Sequence, residues 1–287
     1  MIQTITEVAQ IEQLRSHIRA ARQSGKRIGF VATMGYLHAG HASLVREARQ
    51  HSDFVVMSIF VNPLQFGPNE DFSRYPRDLE RDRKMAREAG VDLLFTPSVE
   101  EMYPGKILTT VSVAQVSEPL CGRSRPGHFA GVATVVMKLF QIVQPDIACF
   151  GQKDAQQVAV IEQMVNDLSV PVRIIPCPIV READGLAMSS RNVYLSEEER
   201  GQATILYRTL RHVQQLIEAK QPVDEVAAEL KRMIASQPLA DIDYVEILRY
   251  PDLSPVAEWK AGEKVLVALA VRFGRTRLID NIMLTIS

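Results

Sequence analysis

A chain of 287 residues, 46% hydrophobic and 23% charged, has ordinary globular composition and length enough for two domains, which excludes a disordered or low-complexity polymer. Its formal net charge of -1 excludes a global basic field for nucleic acid or anionic membrane, so phosphate binding must rest on local groups. Cys121, Cys149 and Cys177 are odd in number, widely spaced and without CxxC, a pattern of reduced thiols in a cytoplasmic protein rather than of a disulfide frame or zinc site.

The opening MIQTITEVAQIEQ lacks the basic and apolar regions of a secretory signal. Thr4 and Glu7 have capping-box spacing, and Val8, Ile11, Leu14 and Ile18 follow at helical intervals, which predicts a first helix. Buried strands are then expected at 28–32 and 54–60, with a helix at 41–49 between them. A helix over 79–89 closes on Gly90 and leads to a strand at 92–95. An apolar helix spans 129–143 and ends near Pro145; a strand at 147–150, a helix at 156–168 and a strand at 172–175 follow. Such alternation predicts a parallel sheet with helices on both faces.

After about Val180 the pattern changes. A polar loop over 181–192 leads to a helix opened by a second capping box, Ser196 with Glu199. Two helices separated by Pro222 precede strands at 243–248, 264–271 and 278–286, the order of a smaller α+β domain. Domains of 1–180 and 181–287 are expected. The longest apolar runs, such as Val265–Val271, are far short of a membrane span.

Chemistry-bearing residues cluster where strands end. Thr33-Met34-Gly35-Tyr36-Leu37-His38-Ala39-Gly40-His41 follows the first buried strand and opens a helix, the position at which open α/β sheets bind ligands. Gly35 and Gly40 admit close backbone approach, and a helix start offers N–H groups and a positive dipole end to phosphate. His38 and His41, three apart, fit phosphate ligands, two surface histidines near a turn, or a metal pair lacking a clear third ligand. No GxGxxG or GxxxxGK loop is present.

Asn62 and Gln65 follow the next strand, where amides suit a hydroxy acid or simply a Pro63 turn. Gly151-Gln152-Lys153-Asp154 follows the strand at 147–150, placing a point charge at the sheet's end. Met188-Ser189-Ser190-Arg191 supplies two hydroxyls and a guanidinium fork, suited to polyphosphate and equally to a plain loop.

Taken together, TMGYLHAGH, FVNPLQF (60–66), YPR (75–77), SRPGHF (124–129), FGQKDAQQ (150–157), MSSRN (188–192) and RLIDN (277–281) resemble, in order and over essentially the whole chain, the pantothenate synthetase family, whose HxGH element is a variant of the HIGH motif of nucleotidyltransferases. The resemblance implies a Rossmann-like, doubly wound α/β domain with a smaller C-terminal α+β domain as lid. It also implies an enzyme that activates pantoate with ATP as an acyl adenylate and joins it to β-alanine. Met34–His41, Gly151–Asp154, Val180 and Met188–Arg191 would bind ATP. His41, His38, Lys153 and Arg191 would be catalytic, with His41 in the proton-donor role. Gln65, Gln157 and Asn62 would bind pantoate, and Gln65 also β-alanine.

Mg²⁺ is implied as well, with Asp82 as the carboxylate carried over, and so is a homodimer. Cys121 stands where some members have an acidic residue. Other readings of the same motifs are a different HxGH nucleotidyltransferase and a non-catalytic ATP-sensing module.

Overall fold

The computed structural model describes residues 5–68 and 70–287. In chain order the elements are β1 (Thr6–Val8), α1 (Ile11–Gln23), β2 (Ile28–Thr33), α2 (Ala39–His51), β3 (Phe54–Ile59), α3 (Leu79–Ala89) and β4 (Leu93–Phe95). The short α4 (Val99–Met102) and α5 (Cys121–Ser124) precede α6 (His128–Val143), β5 (Ile147–Gly151), α7 (Ala155–Asp167) and β6 (Arg173–Cys177). Then come α8 (Glu197–Ala203), α9 (Ile205–Glu218), α10 (Val223–Ala235), β7 (Ala240–Arg249), β8 (Lys264–Phe273) and β9 (Thr276–Thr285).

Strands β1 to β6 form one parallel sheet in the order β1-β4-β3-β2-β5-β6. Alternation along each strand sends side chains to opposite faces. On one face Val31, Val55, Met57, Leu94 and Cys149 pack with Leu44, Val45 and Ala48 of α2 and Ala86 of α3. On the other, the Phe140 ring of α6 meets Phe30 and Phe150 edge-on at centroid distances of 6.4 and 6.3 Å. Chain order runs outward from β2 through β3 to β4 on one side, with β1 beyond β4 at the edge, and from β5 to β6 on the other, so the winding reverses between β2 and β5.

Strands β7 to β9 form a separate antiparallel sheet. Val245, Ile247, Val265, Val267 and Leu269 pack there with Leu206 and Leu210 of α9 and Leu230 and Ile234 of α10. The Ser196–Glu199 capping box forms as expected: Glu199 N–H donates to Ser196 Oγ at 3.2 Å, and Ser196 N–H to the Glu199 carboxylate at 2.8 Å.

Two compact units divide the described chain. One comprises the residues up to Ala114, Arg125–Gln152 and Val160–Pro178; the other comprises Gln115–Ser124, Lys153–Ala159 and Ile179–Ser287. The last change of unit along the chain is from Pro178 to Ile179, and two earlier segments also group with the second unit. Side-chain bonds account for this: Ser124 Oγ donates to Asp243 at 3.0 Å, Arg123 pairs with Glu246, and Asn281 Nδ2 donates to the Lys153 carbonyl at 2.9 Å.

The first helix starts later than its periodicity implies. Thr4 lies outside the described residues. Glu7 and Val8 belong to β1, where the Glu7 carboxylate accepts from Arg83 at 2.6 and 2.9 Å, and α1 begins only at Ile11. Sheet pairing with β4 outcompetes helix periodicity over those few residues. Among the described residues no helix is long and apolar enough to cross a membrane.

Candidate active site

At the end of β2 the chain turns sharply. Thr33 Oγ1 donates to the Ser58 carbonyl at 2.8 Å and accepts from Gly35 N–H at 3.2 Å, anchoring the turn to β3. Gly35 has φ +85°, and a Cβ there would lie 3.0 Å from Ile59 Cγ2 and 3.1 Å from Asp82 Oδ2, so glycine is required by conformation and by space. The next residue, Tyr36, also has positive φ, at 50°. Asp82 holds this strained turn from α3: its two carboxylate oxygens accept the backbone N–H groups of Tyr36 at 2.8 Å and Leu37 at 2.7 Å. The Arg81 guanidinium stacks over the Tyr36 ring 4.6 Å from its centroid.

His38 is the N-cap of α2 and His41 sits in its first turn, completing a reciprocal capping box. His38 Nδ1 accepts from Gly40 N–H at 3.1 Å, and His41 Nδ1 accepts from His38 N–H at 3.2 Å. A ring nitrogen that accepts carries no proton, so in the neutral state both imidazoles hold theirs on Nε2. The ring centroids are 4.0 Å apart. Two Nε2–H donors at a helix N-terminus, both rings oriented by their own backbone, make a site for an oxyanion.

Asp82 does not fit the metal role expected of it. It is 1% exposed, and both oxygens are engaged by the turn. Burial pushes its carboxyl above the usual carboxylate range, opposed by those N–H groups and by Arg81. Among the described residues no group of three or more His, Cys, Asp or Glu could hold a metal ion.

Beyond β3, Asn62 and Gln65 flank a short 3-10 turn, Pro63–Gln65. Asn62 is 0% exposed, and its polar atoms are spent inside the protein. Oδ1 accepts from Tyr103 Oη at 2.8 Å and from Leu64 N–H at 3.3 Å, while Nδ2 donates to the Gly131 carbonyl and to Gln65 Oε1, each at 3.2 Å. Asn62 thus braces the turn from inside and orients the Gln65 amide. Gln65 is half-buried, and its Nε2 faces the Met34 thioether at 3.2 Å, next to the signature turn.

The Arg125-Pro-Gly-His128 segment braces the Gln65 backbone. His128 Nδ1–H donates to the Gln65 carbonyl at 2.8 Å, and Arg125 donates to the same oxygen at 3.2 Å and to His128 Nε2 at 3.1 Å. Arg125 in turn forks onto both oxygens of Glu70 at 2.6 Å. Burial raises the Glu70 carboxyl, but the hydrogen bonds and charge of Arg125 outweigh it and hold it below its ordinary value. Gly131 of α6 lies so close to the Pro63–Gln65 turn that a Cβ there would overlap the Leu64 carbonyl.

Gly151 ends β5, directly beside β2 in the sheet, and Gln152 opens the following 3-10 turn. The signature turn and the Gly151 turn thus emerge at the two strands where the winding reverses, the usual ligand position of doubly wound sheets.

Within the second unit, Asp154 caps α7 through Gln157 N–H at 3.0 Å, which starts the helix bearing Gln157. The neighbouring Gln156 is not a ligand: 3% exposed, its amide accepts from Cys121 N–H at 3.0 Å and donates to the Val116 and Pro119 carbonyls at 3.1 and 2.6 Å. Burial first, and then the charge of Arg191, lower the Lys153 ammonium to about 8, against the opposing pull of Asp280 and Asp154.

Val180 accepts Met188 N–H at 3.0 Å, closing a hairpin whose return leg leads into Met188–Arg191. Ser189 Oγ then caps the 3-10 turn Ser190–Tyr194 through Arg191 N–H at 3.2 Å. Cys121 is buried against Tyr244 Oη at 3.3 Å and the Arg277 guanidinium at 3.5 Å, and Arg277 is also paired with Asp243 at 2.7 Å. The bracing roles of Tyr103, Gln156 and Glu70 left no signal in the sequence, because each depends on contacts far apart in the chain.

A family model described as pantoate-β-alanine ligase matches residues 6–283. Pantothenate synthetase of Caldicellulosiruptor bescii is 57% identical over 277 residues, 96% of this chain and 98% of its own length; that of Bacillus cereus strain B4264 is 55% identical over 283 residues, 98% and 99% of the two chains. The crystal structure of pantothenate synthetase from Thermus thermophilus superposes with a TM-score of 0.91 at 48% identity, over 97% of this chain and 99% of that one. Pantoate-β-alanine ligase from Francisella tularensis, crystallised with β-γ ATP and β-alanine, gives a TM-score of 0.78 at 35% identity, over 98% of each chain.

Proposed function

The chain belongs to the pantoate-β-alanine ligase family, and from that membership we propose that it condenses pantoate with β-alanine using ATP, through a pantoyl adenylate. In the first half-reaction a pantoate carboxylate oxygen attacks the α-phosphorus of ATP, the bond to the bridging oxygen breaks, and pyrophosphate leaves. In the second, the β-alanine amine attacks the acyl carbon, an amide forms, and AMP departs with the carboxylate oxygen that had bridged to phosphorus. The first half-reaction needs no base, because the carboxylate is ionised at neutral pH, and in the second the unprotonated amine gives one proton to solvent as the amide forms. Both need charge on phosphate oxygens to be stabilised in place.

The observation that carries this reading is the pair of capped imidazoles at the start of α2, at the switch point between β2 and β5. His38 and His41 donate hydrogen bonds from Nε2 to the nucleotide's phosphates, and His41 fills the proton-donor role as a hydrogen bond toward the departing group, keeping its proton. Lys153 and Arg191 neutralise charge that develops on pyrophosphate. Met34–His41, Gly151–Asp154, Val180 and Met188–Arg191 bind ATP; Gln65 and Gln157 hold pantoate, with Gln65 also meeting β-alanine. Mg²⁺ would enter with the nucleotide and supply charge neutralisation at its phosphates. The enzyme works in the cytoplasm as a homodimer.

Pantoate labelled with ¹⁸O in its carboxylate tests the route. Transfer of one labelled oxygen into AMP is the expected result. Unlabelled AMP, or ADP in its place, contradicts an acyl adenylate and favours a different nucleotidyltransferase reaction. ATP binding without any turnover points to a non-catalytic sensor.

A further inference from the structure

The Arg277–Asn281 run of β9 is part of the family signature, yet none of its residues has a task in the reaction set out above. Its last two residues reach two of the phosphate-binding segments within the second unit. Asn281 Nδ2 donates to the main-chain carbonyl of Lys153 at 2.9 Å. Asp280, 2% exposed, accepts both arms of the Arg181 guanidinium, at 2.6 and 2.9 Å, and the N–H of Asn281 at 2.8 Å.

Arg181 is itself held on three sides. It donates to the Gly185 carbonyl at 3.1 Å, its guanidinium lies 4.4 Å from the centroid of the Tyr207 ring, and its backbone bridges to Ala187. That bridge belongs to the hairpin that Val180 and Met188 close, so a residue fixed to Asp280 sets where the Met188–Arg191 loop begins.

We propose that Asp280 and Asn281 form a positioning pair for the phosphate-binding segments, Asn281 fixing the backbone of Lys153 and Asp280, through Arg181, fixing the root of the Met188–Arg191 loop. Neither residue needs to touch substrate. A buried, bidentate Arg–carboxylate pair has a geometry that a looser contact cannot replace, and removing one partner leaves the other charge buried and unpaired. A misplacement of about 1 Å in groups of this kind costs on the order of 10²-fold in rate.

Asp280 also acts on Lys153 by charge. The groups bearing on that ammonium are Arg191, which works against its charge, and Asp280 and Asp154, which support it. Removing the Asp280 charge therefore makes Lys153 lose its proton at lower pH, an effect that loss of packing alone does not produce.

This inference rests on the proposed role of Lys153, so its test includes a readout that needs no substrate. In the full chain, trace acylation of Lys153 by acetic anhydride as a function of pH gives its titration midpoint, and pyrophosphate release gives adenylate formation. Asp280→Asn is expected to move the midpoint below the wild-type value of about 8. Asn281→Ala and Arg181→Gln, which keep the Asp280 carboxylate, are expected to slow pyrophosphate release by about tenfold or more at saturating substrate. An unmoved midpoint in Asp280→Asn, or release within twofold of wild type in both Asn281→Ala and Arg181→Gln, overturns the proposal. If wild type itself releases no pyrophosphate, the proposed reaction fails while the labelling midpoint still decides on the Asp280 pair.

Discussion

A neutral imidazole has one proton to give, and which nitrogen carries it is settled by what the other nitrogen accepts. In His38 and His41 the acceptor is Nδ1 and the donor is a backbone N–H of the same turn, so the tautomer is written into the helix cap. Replacing His41 by Ala removes an oriented donor, and adenylate formation should fall by about 10²–10³-fold, with Lys153→Ala in the same range. Stopped-flow measurement of pyrophosphate release, alongside thermal melting to establish folding, checks both; near-normal release from either variant contradicts its assigned role.

Lys153 adds a pH signature. Its folded value of about 8 lies below the ordinary 10.5, so it is charged below about 8 and loses that charge as pH rises through it. Adenylate formation by the free enzyme should therefore decline on the alkaline side near that pH, and Lys153→Arg should move the decline upward. The same shift fixes the sign of its stability effect. The unfolded chain binds the Lys153 proton more tightly, so this residue opposes folding most below about 8, and the opposition fades as pH climbs toward 10.5. Lys153→Met should accordingly melt higher than wild type at neutral pH while losing activity; a lower melting temperature contradicts this account of its burial.

At the scale of elements, the site is a set of turns fastened from behind. Asp82 reaches from α3 to the Tyr36–Leu37 turn, and Asn62 ties the Pro63–Gln65 turn to Tyr103 and Gly131. Asp82→Asn presents an NH₂ to one of two backbone donors and should cost about 1–3 kcal/mol of stability, measured by urea unfolding. The variant should keep the wild-type dependence on Mg²⁺ concentration; a raised Mg²⁺ requirement would restore the metal role. Asn62→Ala should raise the KM for pantoate more than that for ATP, because it frees the Gln65 amide and leaves the signature turn in place. Equal effects on both would show that Asn62 acts on the fold at large.

Elements with strong local signals were legible in the sequence. Residues 79–89 and the Gly90 stop coincide with α3, whose C-cap Gly90 has φ +96°. Ser196 and Glu199 close their capping box as their spacing required. The first helix begins later than its periodicity implies because Val8 satisfies a helical interval and a strand equally well, and only the partner strand β4 decides between them. Asp82 shows the same limit at a single residue: the resemblance carried it over as a metal carboxylate, and nothing in the sequence places it beside the turn it binds, over forty residues earlier.

For the whole molecule, the order of the elements was enough to give a parallel sheet followed by a smaller α+β unit, because alternating strands and helices admit few other arrangements; that the second sheet is antiparallel came from its strand pairing. The motifs at strand ends were legible for the same reason: Gly35 and Gly151 fall where a chain leaving β2 or β5 must turn. Two segments of the first two-thirds of the chain group with the second unit for reasons a linear reading lacks, since Ser124 and Lys153 find their partners on β7 and β9. The same distance in sequence hid the bracing residues, whose chemistry is ordinary until their partners are known.

The most direct measurement of the central claim is the product balance of the purified chain incubated with ATP, Mg²⁺, pantoate and β-alanine, resolved by mass spectrometry, with each acid omitted in turn. The account predicts one pantothenate and one AMP per ATP consumed, with AMP accumulation requiring both pantoate and β-alanine. AMP without an amide product, or turnover indifferent to pantoate, would contradict it.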